Sequence, residues 1–214
     1  MAVIPSTTAP EGTPMPERHQ LAPAIGSKIP SHFGHCFGCG ELHPTGLHLV
    51  AYAGEGLDVS AQFTVTENHQ GAPGLAHGGL LSLAFDEALG KLMWLLRAPA
   101  VTGRLETDFL KPVPVGSTLH ITAEITGQSN RKVYTSAIGR LNAPDGEIAV
   151  KAFELSQNLR GKWLTADYSV KRRYLEIVFL NFVLDDVTLV PTTRKPFDVL
   201  AEGLLLENSR GDKI

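Results

Sequence analysis

The residues best suited to chemistry lie between Gly71 and Gly90, in GAPGLAHGGLLSLAFDEALG. A glycine-rich turn there runs into an apolar helix with Asp86 in its middle. At a helix start the backbone N–H groups lack carbonyl partners and the helix dipole adds about half a positive charge, so the Gly78 and Gly79 region can hold an anionic oxygen. Glycine lets a planar acyl carbonyl approach the N–H directly, and such donors are worth on the order of 10²–10³ in rate. Asp86 has the chemistry of a general base for water or of a nucleophile toward an acyl carbon, and the residue type does not choose between them. His77, just before the helix, is placed to hold the turn by hydrogen bonds or to face substrate.

Asp86 lies eight residues beyond Gly78, which separates the two by about 12 Å along one helix at ~1.5 Å per residue. One substrate carbon cannot touch both. If the helices of a symmetric dimer run antiparallel, Asp86 of one subunit comes opposite Gly78 of the other, and two equivalent composite sites form.

The elements that must position these groups follow from periodicity. Leu80, Leu81, Leu83, Ala84, Phe85, Ala88, Leu89 and Leu92 to Leu96 predict a helix apolar nearly all round, ending near Arg97 and enclosed by other structure, with Asp86 buried in it. Two strands precede it, Leu47–Ala53 and Leu57–Thr66, the second alternating Leu57, Val59, Ala61, Phe63 and Val65. Four follow, Val101–Leu110, Thr118–Ile125, Arg131–Leu141 and Glu147–Gln157, parted by turn signals and read as a meander. The fold class is α+β, one antiparallel sheet wrapped around a long central helix, with a sheet edge left for a second subunit.

Residues 1–30 hold six of the fourteen prolines and no apolar period, and read as a disordered or loosely docked tail. A domain spans 31–158. Residues 159–214 form a C-terminal extension for which added strands and an added helix fit equally.

With 214 residues and 43% hydrophobic content the chain can build one good-sized core. A net charge of -3 argues against a dedicated nucleic-acid binder. No apolar run reaches the ~20 residues that cross a bilayer, and the first residues lack a secretory pattern, so a cytoplasmic protein without a membrane span is the simplest expectation. No nucleotide fingerprint or zinc-protease motif is present, and no cofactor is expected.

Several segments together, CFGCGELHPTGLHL, HQGAPGLAHGG, the aspartate nine residues after His77, and VTGRLETDFLKPVP, resemble the hotdog-fold acyl-CoA thioesterases of the PaaI and THEM4-like superfamily over about residues 36–157. The resemblance implies hydrolysis of an acyl-CoA by a homodimer or a dimer of dimers. It makes Asp86 the base or nucleophile, Gly78 the oxyanion donor, and His77 with Gly79 the turn that shapes the pocket. It matches Thr102 to a strand hydroxyl that helps place the water or carboxylate. Coenzyme A phosphates would favour Lys111, Arg131 and Lys132 at strand ends. Some relatives carry an asparagine before HGG; here the stretch reads His69-Gln70-Gly71, and any amide role passes to Gln70.

Cys36 and Cys39 form a CxxC with His32, His35, His43 and His48 nearby, but a second regularly spaced ligand pair is missing, so no metal is assigned. The resemblance gives the CxxC a plainer place, as a lead-in turn before the first strand. Two other readings stand beside the hydrolase: a non-catalytic acyl-CoA-binding sensor or assembly protein, and a hydratase of the same fold, which lacks its expected Asp and His pair here.

Overall fold

The computed structural model describes residues 6–158, 167–168, 171–172, 179–185 and 188–193. The chain separates into two compact units, 1–159 and 160–214.

In the first unit, short strands β1 (Lys28–Ile29) and β2 (Val50–Ala53) lead to β3 (Asp58–Thr64). A small hairpin, β4 (Gln70–Ala72) and β5 (Leu75–Ala76), precedes helix α1 (Gly78–Lys91), which continues after a break at Leu92 into α2 (Met93–Leu96). Then come β6 (Ala100–Phe109), β7 (Thr118–Ser129), β8 (Lys132–Leu141) and β9 (Ile148–Asn158). The long strands begin and end close to where alternation and turn residues predict.

Seven strands form one antiparallel sheet in the order β1-β2-β3-β7-β8-β9-β6. The expected four-strand meander is therefore only three strands long: β7, β8 and β9 are successive neighbours, whereas β6 crosses to the far side of β9. Turn signals locate strand ends but carry no information about partners, which is why succession along the chain predicts β6 beside β7. The placement leaves β6 as an edge strand ten residues long.

The core lies between this sheet and α1. Leu81, Ala84, Phe85, Ala88 and Leu89 recur at helical spacing and are buried, and they face Val59, Ala61 and Phe63 of β3 and Leu119, Ile121 and Ala123 of β7 within one cluster. A Cβ on Gly139 of β8 would stand 2.8 Å from the Phe85 ring, so glycine is what lets the largest side chain of α1 reach the sheet. The opposite stripe of α1, Gly79, Asp86 and Gly90, is exposed. Asp86 is thus not buried by its own chain, contrary to expectation, because α1 is covered on one face rather than all round.

The proline-rich segment that composition reads as a loose tail lies along the domain. Thr7 is buried and its hydroxyl donates to Glu106 of β6 at 2.8 Å, which holds the Glu106 carboxyl below the usual range. The Gln128 N–H donates to Pro14, the His19 N–H donates to Leu95, and the Arg18 guanidinium donates to the carbonyls of Gly54, Gly56 and Pro23. Proline lowers the entropy lost on docking such an extended segment.

In the second unit β10 (Phe179–Asp185) and β11 (Thr188–Thr193) form an antiparallel hairpin.

Candidate active site

The turn ahead of α1 is fastened by its own residues. The buried His69 accepts from the Thr66 N–H through Nδ1, and its Nε2 lies 3.3 Å from the Gly46 carbonyl. Gln70 accepts from the Gly74 N–H at 2.7 Å and donates to the Glu67 carbonyl, so its amide braces the β4–β5 hairpin. A Cβ on Gly71 would fall 2.8 Å from the His77 Cα. The Ala76 N–H donates to Val113 and the Val115 N–H to Gly74, which stitches this loop to the Pro112–Gly116 turn.

His77 caps α1. Its Nδ1 accepts from the Gly79 N–H at 2.9 Å, its carbonyl accepts from Leu80 and Leu81, and its own N–H donates to His69. Nδ1 is therefore the unprotonated ring nitrogen, and the histidine spends itself on loop geometry. Among the described residues the Gly78 N–H has no acceptor. It opens on a groove of about 280 Å³ lined by Leu75, Ala76, Leu81, Phe109, Lys111 and Val113, with the Phe109 ring 3.4 Å from where a Gly78 Cβ would stand.

Asp86 sits two turns further along α1. The Thr102 hydroxyl of β6 donates to its Oδ1 at 2.7 Å, which fixes the carboxylate and leaves Oδ2 for another donor. Because α1 runs antiparallel to β6, Thr102 lies by Asp86 and Phe109 lies by Gly78. The structure thus brings together Asp86 with Thr102, and His77 with Gly79 and Gly78, but keeps the two groups at the ~12 Å set by the helix rise. The cations divide likewise. Lys111 lines the Gly78 groove and pairs with Glu147. Arg131 and Lys132 lie at the β7–β8 turn, and Lys132 stands opposite Gln157 of β9 in the strand register, the residue that on its other side stands opposite Val101 of β6.

A second cluster adds Glu87, which the sequence did not single out, to the CxxC and one of its neighbouring histidines. Glu87, on the covered flank of α1, meets His32, Cys36 and Cys39, with one donor atom of each lying within 4.8 Å of the others. Of the four histidines near the CxxC only His32 joins it; His43 packs against Phe37 and the His48 Nδ1 lies 3.0 Å from the Gly40 carbonyl. Lys91 is buried and bonds Glu87 and the Pro30 carbonyl, each at 3.1 Å. Burial raises the Glu87 carboxyl against the pull of Lys91, and hydrogen bonding to Cys39 raises His32. The hydrogen bond from Cys39 draws the Cys36 thiol down to about 7. The spacing of Glu87 and Lys91, four apart on an apolar helix, was the available signal for a buried ionic pair.

Residues 73–140, roughly a third of the chain, match the family model of the thioesterase superfamily. Acyl-coenzyme A thioesterase THEM4 of Xenopus laevis is 31% identical over 67 residues, 31% of this chain and 30% of that protein. Acyl-coenzyme A thioesterase THEM5 of Mus musculus is 34% identical over 71 residues, 33% of this chain and 29% of that protein. The chain thus spans under a third of the length of these curated relatives. Among solved structures, a thioesterase superfamily protein superposes with a TM-score of 0.54 at 25% identity, over 65% of this chain and 70% of that one. Zebrafish thioesterase superfamily member 2 superposes with a TM-score of 0.51 at 16% identity, over 58% of this chain and 92% of that one. The fold is the hotdog fold, as the motifs in the sequence imply.

Proposed function

From the premise that this is a hotdog-fold chain resembling the thioesterase superfamily, we propose that it hydrolyses an acyl-CoA to the free acid and coenzyme A. The observation that carries the reading is the Gly78 N–H, left without an acceptor among the described residues at the start of α1 and opening on an apolar groove, while the backbone N–H groups of Ala76, His77, Gly79, Leu80 and Leu81 around it are engaged. The names of the THEM4 and THEM5 relatives, both acyl-coenzyme A thioesterases, support the same chemistry.

In the proposed mechanism the thioester carbonyl oxygen accepts from Gly78 of one subunit, where the helix dipole stabilises the charge that develops on it. Asp86 of the other subunit removes a proton from water as it adds to the carbon, or adds to that carbon itself. Thr102 holds the carboxylate in the orientation either route needs. Collapse of the tetrahedral species expels the coenzyme A thiolate; on the direct-attack route this leaves an anhydride with Asp86, which a water molecule then hydrolyses to the free acid and the free carboxylate.

The site needs two subunits. The exposed stripe of α1 carries Gly79 and Gly90 beside Asp86, which lets a second helix approach closely, and β6, whose outer edge is unpaired among the described residues, exposes Val101 and Phe109. An antiparallel pairing would bring the Thr102 end of one chain to the Phe109 end of the other. Lys111 of the partner subunit would then join Arg131 and Lys132 around one mouth, a cationic setting for phosphates.

The test is thiol release from short, long and aromatic acyl-CoAs by the native chain and by Asp86→Asn. Release that is lost in the variant supports the hydrolase. Tight acyl-CoA binding with no release by the native chain favours a sensor.

A further inference from the structure

We infer that His32, Cys36, Cys39 and Glu87 form a closed four-coordinate site for a zinc-class divalent ion that fastens the loop over residues 30–40 to the covered flank of α1. This site stands apart from the acyl chemistry and does not depend on it.

Geometry carries the inference. A tetrahedral zinc shell with bonds of about 2.0–2.3 Å has donor-to-donor edges of roughly 3.3–3.8 Å. The Cys36 Sγ and Glu87 Oε2 are 3.4 Å apart, the Cys39 Sγ and His32 Nδ1 are 3.7 Å apart, and the His32 Nδ1 and Glu87 Oε1 are 3.9 Å apart. The first two separations fall within the edges of such a shell, and the 3.9 Å between His32 and Glu87 stands just above them. Two sulfurs, one imidazole and one carboxylate suit zinc rather than the all-oxygen preference of magnesium or calcium.

The surroundings are built for the same purpose. Gly38 allows the loop to close on Glu87, since a Cβ there would fall 2.5 Å from Oε2 and 3.0 Å from Cγ. Gly40 lets the turn fold on itself, because a Cβ would stand 2.4 Å from the Cys36 nitrogen. The Ser31 hydroxyl lies 3.1 Å from the Cys39 sulfur and can donate to a thiolate. Charge also balances. A divalent ion binding two thiols, neutral His32 and the Glu87 carboxylate releases two protons and leaves one negative charge, which the buried Lys91 ammonium offsets at 3.1 Å. With four protein ligands there is no open position, so the ion is structural.

The experiment titrates cobalt(II) into reduced, metal-stripped full-length chain. Expected is saturation at a single ion per chain, with the thiolate-to-cobalt charge-transfer band and the visible bands of tetrahedral cobalt, and zinc displacing it. Cys39→Ser should lose the stoichiometric ion, and Lys91→Met should bind about 10–100-fold more weakly while keeping the spectrum. If Cys39→Ser fails to fold, the native titration alone decides. Absence of the charge-transfer band while both thiols react freely with a thiol reagent overturns the site. So does an ion retained by folded Cys39→Ser.

Discussion

Asp86 and Glu87 are adjacent carboxylates with opposite situations. Asp86 faces outward and is held by Thr102, whereas Glu87 is turned toward the loop and tied to Lys91. Asp86→Asn should therefore fold normally and lose turnover by about 10²–10⁴-fold, as expected for a lost base, with unchanged thermal stability as the control. Thr102→Val removes one hydrogen bond to a charged group, and steady-state kinetics should show kcat lower by roughly 10–100-fold with little change in KM. Residue types and spacing pointed to Asp86, His77 and Gly78, and the family resemblance to Thr102. They did not show that Asp86 faces outward while Glu87 is covered, because a helix apolar on many sides hides which side is covered; only the packed sheet resolves that.

At the scale of elements, α1 depends on one close fit. Phe85 is fully buried against Gly139, so Phe85→Ala should cost about 3–5 kcal/mol and Gly139→Val about 1–3 kcal/mol by overpacking, both measured by chemical denaturation. Gly38→Ala should lower stability and disturb the Glu87 carboxylate together, readable as weaker cobalt binding with the spectrum altered. The strands were legible because alternation of period two survives wherever one face is buried, as in Val59, Ala61 and Phe63. The partner of β6 was not, since Thr102 pairs with Ser156 and no local pattern encodes a contact that far along the chain.

For the whole molecule, the proposed composite site makes activity a property of assembly. Val101→Lys on the exposed edge of β6 should yield a monomer by sedimentation and abolish turnover with Asp86 untouched; a fully active monomer would defeat the two-subunit site. The order of β6 in the sheet also sets the timetable of synthesis. Residues 100–109 leave the ribosome with α1 already made, yet their pairing strand ends at Asn158 and follows about 50 residues later. At ~5–20 residues per second that is an interval of several seconds in which β6 lacks the strand it pairs with. The Thr7 hydroxyl reaches Glu106 on that same strand, so a segment made before β6 is waiting when it emerges. That segment is cover available early to a strand whose permanent neighbour is the last strand of the sheet to arrive.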